Sequence, residues 1–275
     1  MESAQPSPAG FGEFLRARRE STAPERVGLP REPGRRVSGL RRSEVARLAG
    51  ISDDYYVRLE QGRGGQPSER VLVAIGQALR LSEHEFAYLL RLAWTAPALT
   101  SALSGPSPVR DDHPDRAAIT TLLDLGPPVP AFVVDRNLDV VQTNAHARAV
   151  GARALEPGEN LVLHLFPPPA EGGDALRADP LWEETARRHL AALRFWSDPG
   201  DPRLREILGD LGTRASDFPR LWARYDTSPL ERGSLLVLVA GRGVVRLGSV
   251  GFSLPGREGL TLVTVLGDED GALLP

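Results

Sequence analysis

The clustering of arginines is the feature of this sequence that first suggests a chemical role. All 33 basic residues are arginines, and six of them lie within residues 31–47 beside only two glutamates. Guanidinium groups at this density can neutralise the phosphates of nucleic acid, and local density matters more for this than total charge. A solvated surface arm would have the same composition. The arginine run alone therefore leaves both explanations open.

Residues that could perform catalysis are scattered rather than grouped. The five histidines have no metal-binding spacing, and the sequence has neither a phosphate-binding glycine loop nor a GxSxG nucleophile motif. It also has no cysteine, which excludes disulfides and thiolate zinc sites. The pair Asp111 and Asp112 beside His113 falls in a predicted linker. We therefore predict that the chain is not an enzyme and has neither a metal nor a cofactor.

Composition and charge favour a two-domain protein with a basic first part. The 275 residues allow about two domains, and 41% hydrophobic and 25% charged residues are ordinary for a globular protein. Residues 1–95 carry 15 arginines against 12 acids, whereas residues 96–275 carry 18 against 24. No apolar run is long enough to span a membrane, and the first residues show no apolar signal core. We expect a cytoplasmic protein.

Short helical segments follow one another through the first part of the chain. They come after a lead-in at residues 1–9, which we expect to be disordered. A proline-rich loop at 21–38 separates the first helical segment from the second. Three of the later segments start at a serine, which is a preferred N-cap. The predicted helices are Phe11–Arg19, Arg41–Ala49, Ser52–Gln61, Ser68–Leu79 and Ser82–Trp94. These predict a five-helix domain over residues 10–95, followed by a linker at 96–114.

The stretch GLRRSEVARLAGISDDYYVRLEQG, residues 39–62, places two helices around a tight turn. Gly50 can adopt the left-handed conformation that such a turn needs, and Ala46 and Ala49 are small enough for close helix packing. A helix pair with a short glycine turn is typical of a helix-turn-helix, whose second helix enters the major groove of DNA. We assign the buried face of the pair to Val45, Ala46, Leu48, Ala49, Tyr56 and Leu59.

This segment resembles the phage-repressor-type helix-turn-helix of the XRE family. The wider run, from FGEFLRARRE through RRVSGLRRSEVARLAGISDDYYVRLEQGR to PSERVLVAIGQAL, is similar to the MmyB-like subgroup of bacterial regulators over residues 11–95. The resemblance implies an all-α, five-helix, phage-repressor-like domain with a double-stranded DNA operator as its partner. Because small domains of this kind usually bind an operator as two copies, we expect a homodimer.

Contacts with DNA are expected from the outward positions of the second helix and from nearby arginines. Arg58 is the first expectation, and Arg42 stands where the family often has a glutamine. An aspartate can accept a hydrogen bond from cytosine but repels phosphate, so we favour helix-end charges as the role of Asp53 and Asp54. Glu60 is expected to pair within the domain. The predicted DNA-binding residues are Arg35, Arg36, Arg41, Arg42, Ser52, Asp53, Asp54, Tyr55, Arg58 and Arg63.

The second part of the chain, residues 115–275, mixes helical and strand patterns. Helices are predicted at 117–125, 144–150, 181–196, 202–211 and 217–225, and strands at 131–134, 138–142, 235–240, 244–247 and 260–266. The run AFVVDRNLDVVQTNAHARAV resembles the opening of a PAS-like domain and the ligand-binding domain of MmyB-like regulators. Further matches are Asn160, Phe166, Trp182, DPRL at 201–204 and SDFPRLWARYD at 216–226. The fold class is therefore a helix-turn-helix domain followed by an α+β, PAS-like domain.

The resemblance implies an apolar cavity and a small, apolar or fatty-acid-like ligand in the second domain. A plain hydrophobic core would have the same residues at the same spacing. After Asp226 the sequence departs from the family pattern because the usual His-Pro is missing, which leaves the identity of the ligand open. The predicted ligand-binding residues are Phe132, Val134, Val140, Leu165, Phe166, Trp182, Leu193, Leu221 and Trp222.

Two alternatives to a ligand-sensing DNA-binding regulator remain open from the sequence. The helix-turn-helix could serve protein interaction only, although the arginine cluster at the expected DNA face favours DNA. Alternatively, the chain could bind DNA while its second domain only dimerises.

Overall fold

The structure, a computed structural model, describes residues 10–30, 35, 37–94, 116–126, 128–198, 200–254 and 259–267. Residue contacts divide the chain into two compact units, one holding residues 10–94 and the other most of residues 116–267. The predicted lead-in at 1–9, the predicted linker at 96–114 and Arg36 all lie outside the described residues. None of the described helices is long and apolar enough to cross a membrane.

Among the residues that the structure describes, the first unit consists of helices joined by turns and loops, with no strand. A 3₁₀ turn at Pro24–Val27 lies within the stretch predicted as a loop, where the proline at its first position suits a helix start. The α-helices begin and end close to the predicted positions. They are α1 (Phe11–Ser21), α2 (Arg42–Ala49), α3 (Asp53–Glu60), α4 (Glu69–Ala78) and α5 (Glu83–Trp94).

Apolar residues from several helices form the core of the first unit. Phe11 and Phe14 of α1, Leu59 of α3 and Ile75 of α4 are fully buried. Gly12 lets α1 approach α3 closely, because a Cβ atom built there would lie 2.2 Å from the carbonyl oxygen of Glu60. The position of α3 is therefore set by backbone packing against α1 as well as by side chains.

The prediction that Leu48 belongs to the buried face of α2 is wrong. Val45, Ala46 and Ala49 are buried, but Leu48 is 39% exposed. At 3.6 residues per turn, Leu48 lies roughly 110° around the helix from the middle of the face formed by the other three residues. Helical spacing therefore excludes Leu48 from the core once the centre of that face is known.

The second unit combines one antiparallel sheet with helices. Its helices are α6 (Arg116–Leu125), α7 (Ala145–Ala149), α8 (Leu161–His164), α9 (Gly173–Arg177), α10 (Trp182–Trp196), α11 (Pro202–Arg214) and α12 (Phe218–Trp222). Its strands are β1 (Ala131–Val134), β2 (Val140–Thr143), β3 (Gly233–Val239), β4 (Gly243–Ser253) and β5 (Thr261–Gly267). The strand order is β2-β1-β5-β4-β3, and all neighbouring strands are antiparallel.

The two faces of this sheet bury different clusters. Phe132 and Val134 point into the large apolar core that also contains Leu190 and Leu193 of α10. Ala131 and Val133, which alternate with them, pack in a smaller cluster with Ile119 of α6. Helices therefore cover both sides of the first strand.

Three strands differ by two or more residues from their predicted bounds. The third strand was predicted at 235–240, whereas β3 runs over Gly233–Val239. The second strand was predicted at 138–142, but Leu138 has a positive φ of 62° and belongs to the turn before β2. The fourth strand was predicted at 244–247, whereas β4 runs on to Ser253 through Gly248 and Gly251. Glycine is normally disfavoured in strands, and here cross-strand pairing with β3 and β5 outweighs that local preference.

Candidate DNA-binding surface and ligand-binding core

The turn between α2 and α3 has the predicted helix-turn-helix geometry. Gly50 is left-handed, with φ of 64°, and its amide donates to the carbonyl oxygens of Ala46 and Arg47. Ser52 then begins α3 as its N-cap, and its hydroxyl accepts a hydrogen bond from the amide of Tyr55 at 3.2 Å. The turn thus ends one helix and begins the next within three residues.

Glu60 at the end of α3 is the centre of an ion-pair network. Its side chain is 3% exposed, and one carboxylate oxygen accepts from Arg19 Nε at 2.5 Å. The other accepts from Arg42 Nε at 2.7 Å, so α1, α2 and α3 meet at one carboxylate. Burial lowers the pKa of Arg19, but the hydrogen bond to Glu60 and the attraction of Glu60 and other neighbouring groups together outweigh burial and raise that pKa overall. The predicted internal pairing of Glu60 is confirmed.

Tyr56 and Leu59 are buried in the core, as predicted. Burial and the nearby Glu60 carboxylate raise the pKa of Tyr56 well above its ordinary value. Tyr56 is therefore a neutral core residue at any pH at which the protein would bind DNA.

Arg35 is occupied within the first unit. Its guanidinium donates to both carboxylate oxygens of Glu44, at 2.8 and 2.5 Å, and to the carbonyl oxygen of Gly39 at 2.7 Å. The Arg35 side chain is only 4% exposed. These hydrogen bonds, opposed in part by burial, lower the pKa of Glu44 to about 2. The structure therefore gives Arg35 a role in holding the chain before α2, and we leave it out of the proposed DNA surface.

The other predicted DNA-contacting residues in the described chain are accessible. Arg41, Ser52, Asp53 and Asp54 are exposed, and Tyr55 is half-buried. Arg42 keeps 49% of its side chain exposed although it pairs with Glu60. Gly62, with φ of 67°, ends α3, and Arg63 follows it at the surface. These residues occur on or beside α2 and α3, which is where a helix-turn-helix meets DNA.

Arg58 and Tyr55 form a pair on the outward side of α3. The guanidinium carbon of Arg58 lies 5.8 Å from the centre of the Tyr55 ring, which is within cation–π distance. Arg58 is exposed and forms no ion pair with any described residue, and the same is true of Arg47 and Arg63. Arg47, at the end of α2, is not among the predicted DNA-binding residues although it belongs to the same arginine run.

The predicted ligand-binding residues belong to one continuous apolar core. Leu165, Phe166 and Leu193 are almost completely buried, and the ring of Phe166 meets that of Trp182 edge-on at 5.6 Å. Trp182 Nε1 donates to the carbonyl oxygen of Leu165 at 2.8 Å, which satisfies its polar atom inside the core. Phe132, Val134, Val140, Trp182 and Leu221 are at most 5% exposed.

Trp222 differs from the other residues of this set. It is partly exposed, and the Arg194 guanidinium lies over its ring, 3.6 Å from the ring centre. Arg194 Nη2 also donates to the carbonyl oxygen of Trp222 at 2.6 Å. The structure therefore places Trp222 at the edge of the apolar core, where its ring supports an arginine.

Several motif residues of the second unit form a polar network that is structural. Arg203 of the DPRL sequence donates to both carboxylate oxygens of Asp139, at 2.7 and 2.8 Å. Asn137 is fully buried and donates to Asp201 at 2.8 Å, while Asn160 donates to the carbonyl oxygen of Asn137 at 2.8 Å. These contacts attach the β1–β2 turn to the starts of α8 and α11.

Two features of the described part of the chain concern side chains that could bind a metal and the buried His189. No group of three or more histidine, cysteine, aspartate or glutamate side chains there could hold a metal ion. His189 is completely buried, and burial lowers its pKa to about 4 although its Nδ1 lies 2.8 Å from the carbonyl oxygen of Thr185. His189 is therefore neutral near pH 7, inside the core.

Comparison with protein families bears on both units. A helix-turn-helix domain family model matches residues 11–89. The model of the MmyB-like transcription regulator ligand binding domain matches residues 116–271, which is more than half of the chain. The chain belongs to the MmyB-like transcription regulators. A search of the curated proteins found no match.

Membership of the MmyB-like family establishes the general function. The chain is a DNA-binding transcription regulator with a ligand-binding domain. Both matched families are families of transcription regulators and not of enzymes, so the prediction of a non-enzyme is confirmed. The predicted resemblance to MmyB-like regulators is confirmed as well, by the ligand-binding-domain model on the second unit together with the helix-turn-helix model on the first.

Proposed function

We propose that this MmyB-like regulator binds a specific operator as a homodimer and that its second domain senses a small, apolar or fatty-acid-like molecule. The first unit would act as a five-helix, phage-repressor-like domain at residues 10–95, and the second as a PAS-like domain at 115–275 that follows the linker. Binding to an operator would place the protein on the nucleoid in the cytoplasm.

The outward side of α3 is the observation that carries the DNA-binding part of this proposal. Arg58 is exposed, stacks near Tyr55 and has no carboxylate partner among the described residues. Arg63, which follows α3, is likewise exposed and has no carboxylate partner among the described residues. Arg42 extends the basic surface onto α2. An unpaired guanidinium on a recognition helix can contact a guanine or a phosphate without first breaking an ion pair.

The aspartates at the start of α3 serve the helix in this proposal. Ser52 already caps α3, and Asp53 and Asp54 lie in its first turn, where negative charge is favourable. They would repel phosphate, so they restrict which part of α3 approaches the DNA backbone.

The ligand-sensing part is supported by the family of the second unit and by its large apolar core. A ligand can change operator binding only if it binds two states of the protein with different affinity. We propose that the ligand shifts the protein between a state that binds the operator and one that does not. A second domain that only dimerises, or a helix-turn-helix that binds protein, are the competing functions.

Selection of DNA sequences by the purified full chain, at two salt concentrations, tests the DNA-binding part. We expect specific enrichment, and we expect an Arg42→Ala/Arg58→Ala variant to lose it by about tenfold or more because base and phosphate contacts are removed. The control is Arg26→Ala/Arg205→Ala, which loses the same charge at exposed residues without a described ion pair. Absence of enrichment, or equal binding by both double variants, would contradict the proposal and favour a protein-interaction role.

A further inference from the structure

Helix α6 carries apolar residues on a wider arc than its own sheet buries. Ile119 and Leu123 face β1, where they pack with Val133 in the smaller cluster. Leu122 and Leu125 belong to another side of the same helix and are 43% and 82% exposed. The sides of a surface helix that do not face its core normally carry polar residues. The described part of the chain therefore leaves an apolar side of α6 only partly covered.

The exposed leucines of α6 begin on the flank of the helix that faces β5. At about 100° per residue, Thr120 lies roughly 80° to one side of the buried face and Leu122 roughly 80° to the other. Gln142 of β2 donates a hydrogen bond to the Thr120 hydroxyl, so the Thr120 flank is on the β2 side. Since β1 lies between β2 and β5 in the sheet, the Leu122 flank is on the β5 side.

The strands on that side, β5 and β4, present apolar residues on the same face of the sheet. Leu262 of β5 lies between Val133 of β1 and Phe252 of β4 in the register of the sheet. Leu266 is 51% exposed whereas its neighbour Val265 is buried in the large core, so Leu266 is on this outer face as well. Phe252 is 52% exposed. The outer face of β4 and β5 thus continues the apolar side of α6.

The size of this region is that of a subunit interface. We define the outer apolar surface as Leu122, Leu125, Phe252, Leu262 and Leu266. Its four most exposed residues leave about 400 Å² open to solvent, which is the size of the largest apolar patch on a typical monomer. An interface of standard size buries about 800 Å² on each subunit, roughly 60% of it apolar. The outer apolar surface therefore supplies most of the apolar area that one subunit of a stable dimer needs.

The sequence joins this surface directly to the segment that leads to the DNA-binding unit. The 21 residues 95–115 connect the described part of the first unit to α6. A segment of that length spans at most about 70 Å when fully extended. Two operator half-sites one turn of DNA apart are separated by about 34–36 Å. The length of the segment therefore allows a dimer held through α6 to bring two DNA-binding units to two half-sites.

We propose that the homodimer of this regulator forms through the outer apolar surface, which packs against the same surface of a second copy. In a two-fold dimer one patch serves both subunits, so a single apolar surface is sufficient. None of its five residues is charged or polar, which suits a like apolar surface. This proposal rests on the proposed function, which requires two copies at the operator, and it assigns the residues that bring them together.

Sedimentation of the full chain without DNA, from about 0.1 to 100 µM, tests the proposal. We expect the native chain to form dimers. In Leu122→Glu/Phe252→Glu we expect the dissociation constant of the dimer to rise by about 100-fold or more, because each new charge would be buried twice in a two-fold interface. Thermal unfolding followed by circular dichroism checks that the variant is folded.

The matched control is Leu48→Glu/Val73→Glu. It adds the same charge at two apolar residues of the first unit that are 39% and 38% exposed. We expect this control to dimerise like the native chain. If it dissociates the dimer instead, the copies meet through the first unit, and the homodimer of the proposed function stands without the outer apolar surface.

A second measurement uses the absence of cysteine from the native sequence. Leu266→Cys places a single thiol in the outer apolar surface, and Leu48→Cys places one outside it. The rate of reaction with a maleimide is measured at low and at high protein concentration. We expect the rate to fall with rising concentration in Leu266→Cys and to stay constant in Leu48→Cys. Protection that does not depend on concentration would show that the same chain covers the surface, and would overturn the proposal.

Two further results would overturn the proposal. They are a native chain that stays monomeric throughout the concentration range and a dimer that Leu122→Glu/Phe252→Glu leaves intact. The selection of DNA sequences is a separate experiment. An operator found without this dimer leaves the DNA-binding function standing, and this dimer found without an operator leaves the interface standing.

Discussion

At the scale of single residues, the structure separates arginines that build the first unit from arginines that are available to DNA. Arg19 and Arg35 are buried against Glu60 and Glu44, whereas Arg58 and Arg63 are exposed without a described ion pair. All four residues are arginines, and three of them, Arg35, Arg58 and Arg63, were predicted to bind DNA. The two groups differ in whether folding brings a carboxylate close enough to form an ion pair with the guanidinium.

Glu60→Gln is expected to destabilise the first unit strongly. Removing the carboxylate charge breaks the buried Arg19–Glu60 pair and leaves Arg19 with the half-exposed Glu20, 3.2 Å away, as its remaining carboxylate partner. Loss of one partner of a buried ion pair typically costs about 3–5 kcal/mol of the free energy of unfolding, and Glu20 places the expected loss at the lower end. Arg42 would lose its partner too, but its exposed side chain can be solvated. Chemical denaturation of the full chain, followed by far-ultraviolet circular dichroism, measures the change.

The matched control for Glu60→Gln is Glu25→Gln, at an exposed glutamate of the 3₁₀ turn. We expect the control to change the free energy of unfolding by less than about 0.5 kcal/mol. Equal effects of the two substitutions would show that the Arg19–Glu60 pair does not hold α1 to α3.

At the scale of elements, backbone approach decides how α1 meets α3. Gly12 is in the first turn of α1, and only hydrogen occupies the place where its Cβ would meet the carbonyl oxygen of Glu60. Nothing in the local sequence distinguishes this glycine from one in a flexible turn. The contact explains why a residue with poor helix propensity occurs inside α1.

Gly12→Ala is expected to destabilise the first unit, whereas Gly209→Ala in α11 is expected to stabilise the second. At Gly12 the new methyl group would lie 2.2 Å from backbone oxygen, so the helices must separate, with an expected loss of about 1–3 kcal/mol. At Gly209 no atom lies within 4 Å of the built Cβ, and alanine has the better helix propensity, with a gain of about 0.5–1 kcal/mol. Thermal unfolding of both variants measures the signs, and a gain of stability in Gly12→Ala would refute the close contact.

At the scale of the whole molecule, each of the two compact units has its own buried residues. Leu59 is fully buried in the first unit and Phe132 in the second. The chain has a net charge of −3, yet its excess of positive charge lies in residues 1–95. Binding to DNA depends on that local excess rather than on the net charge of the whole chain.

We predict that the two units unfold in separate transitions. In scanning calorimetry of the full chain, Leu59→Ala should lower the midpoint of one transition and Phe132→Ala that of the other. Truncation of a fully buried leucine or phenylalanine typically costs about 2–5 kcal/mol. A single transition that both substitutions lower equally would contradict two independent cores.

The sequence by itself determined most of the elements, the helix-turn-helix and the family. These depend on local signals: the serine cap at Ser52, the left-handed glycine at Gly50 and apolar residues at helical spacing. Leu48 was misplaced because the centre of a helix face depends on the neighbouring helices. The extension of β4 through its glycines likewise depended on pairing with β3 and β5.

Only the tertiary structure decided which polar groups find partners. Arg35 and Arg58 have the same chemistry in the sequence, but folding brings Glu44 to one and leaves the other exposed. Arg188 and Gly233 are 45 residues apart, and only the packing of α10 on the sheet places a guanidinium over a residue without a side chain. Partners of this kind are set by long-range packing, whereas caps, turns and periodicity are set by residues a few positions apart.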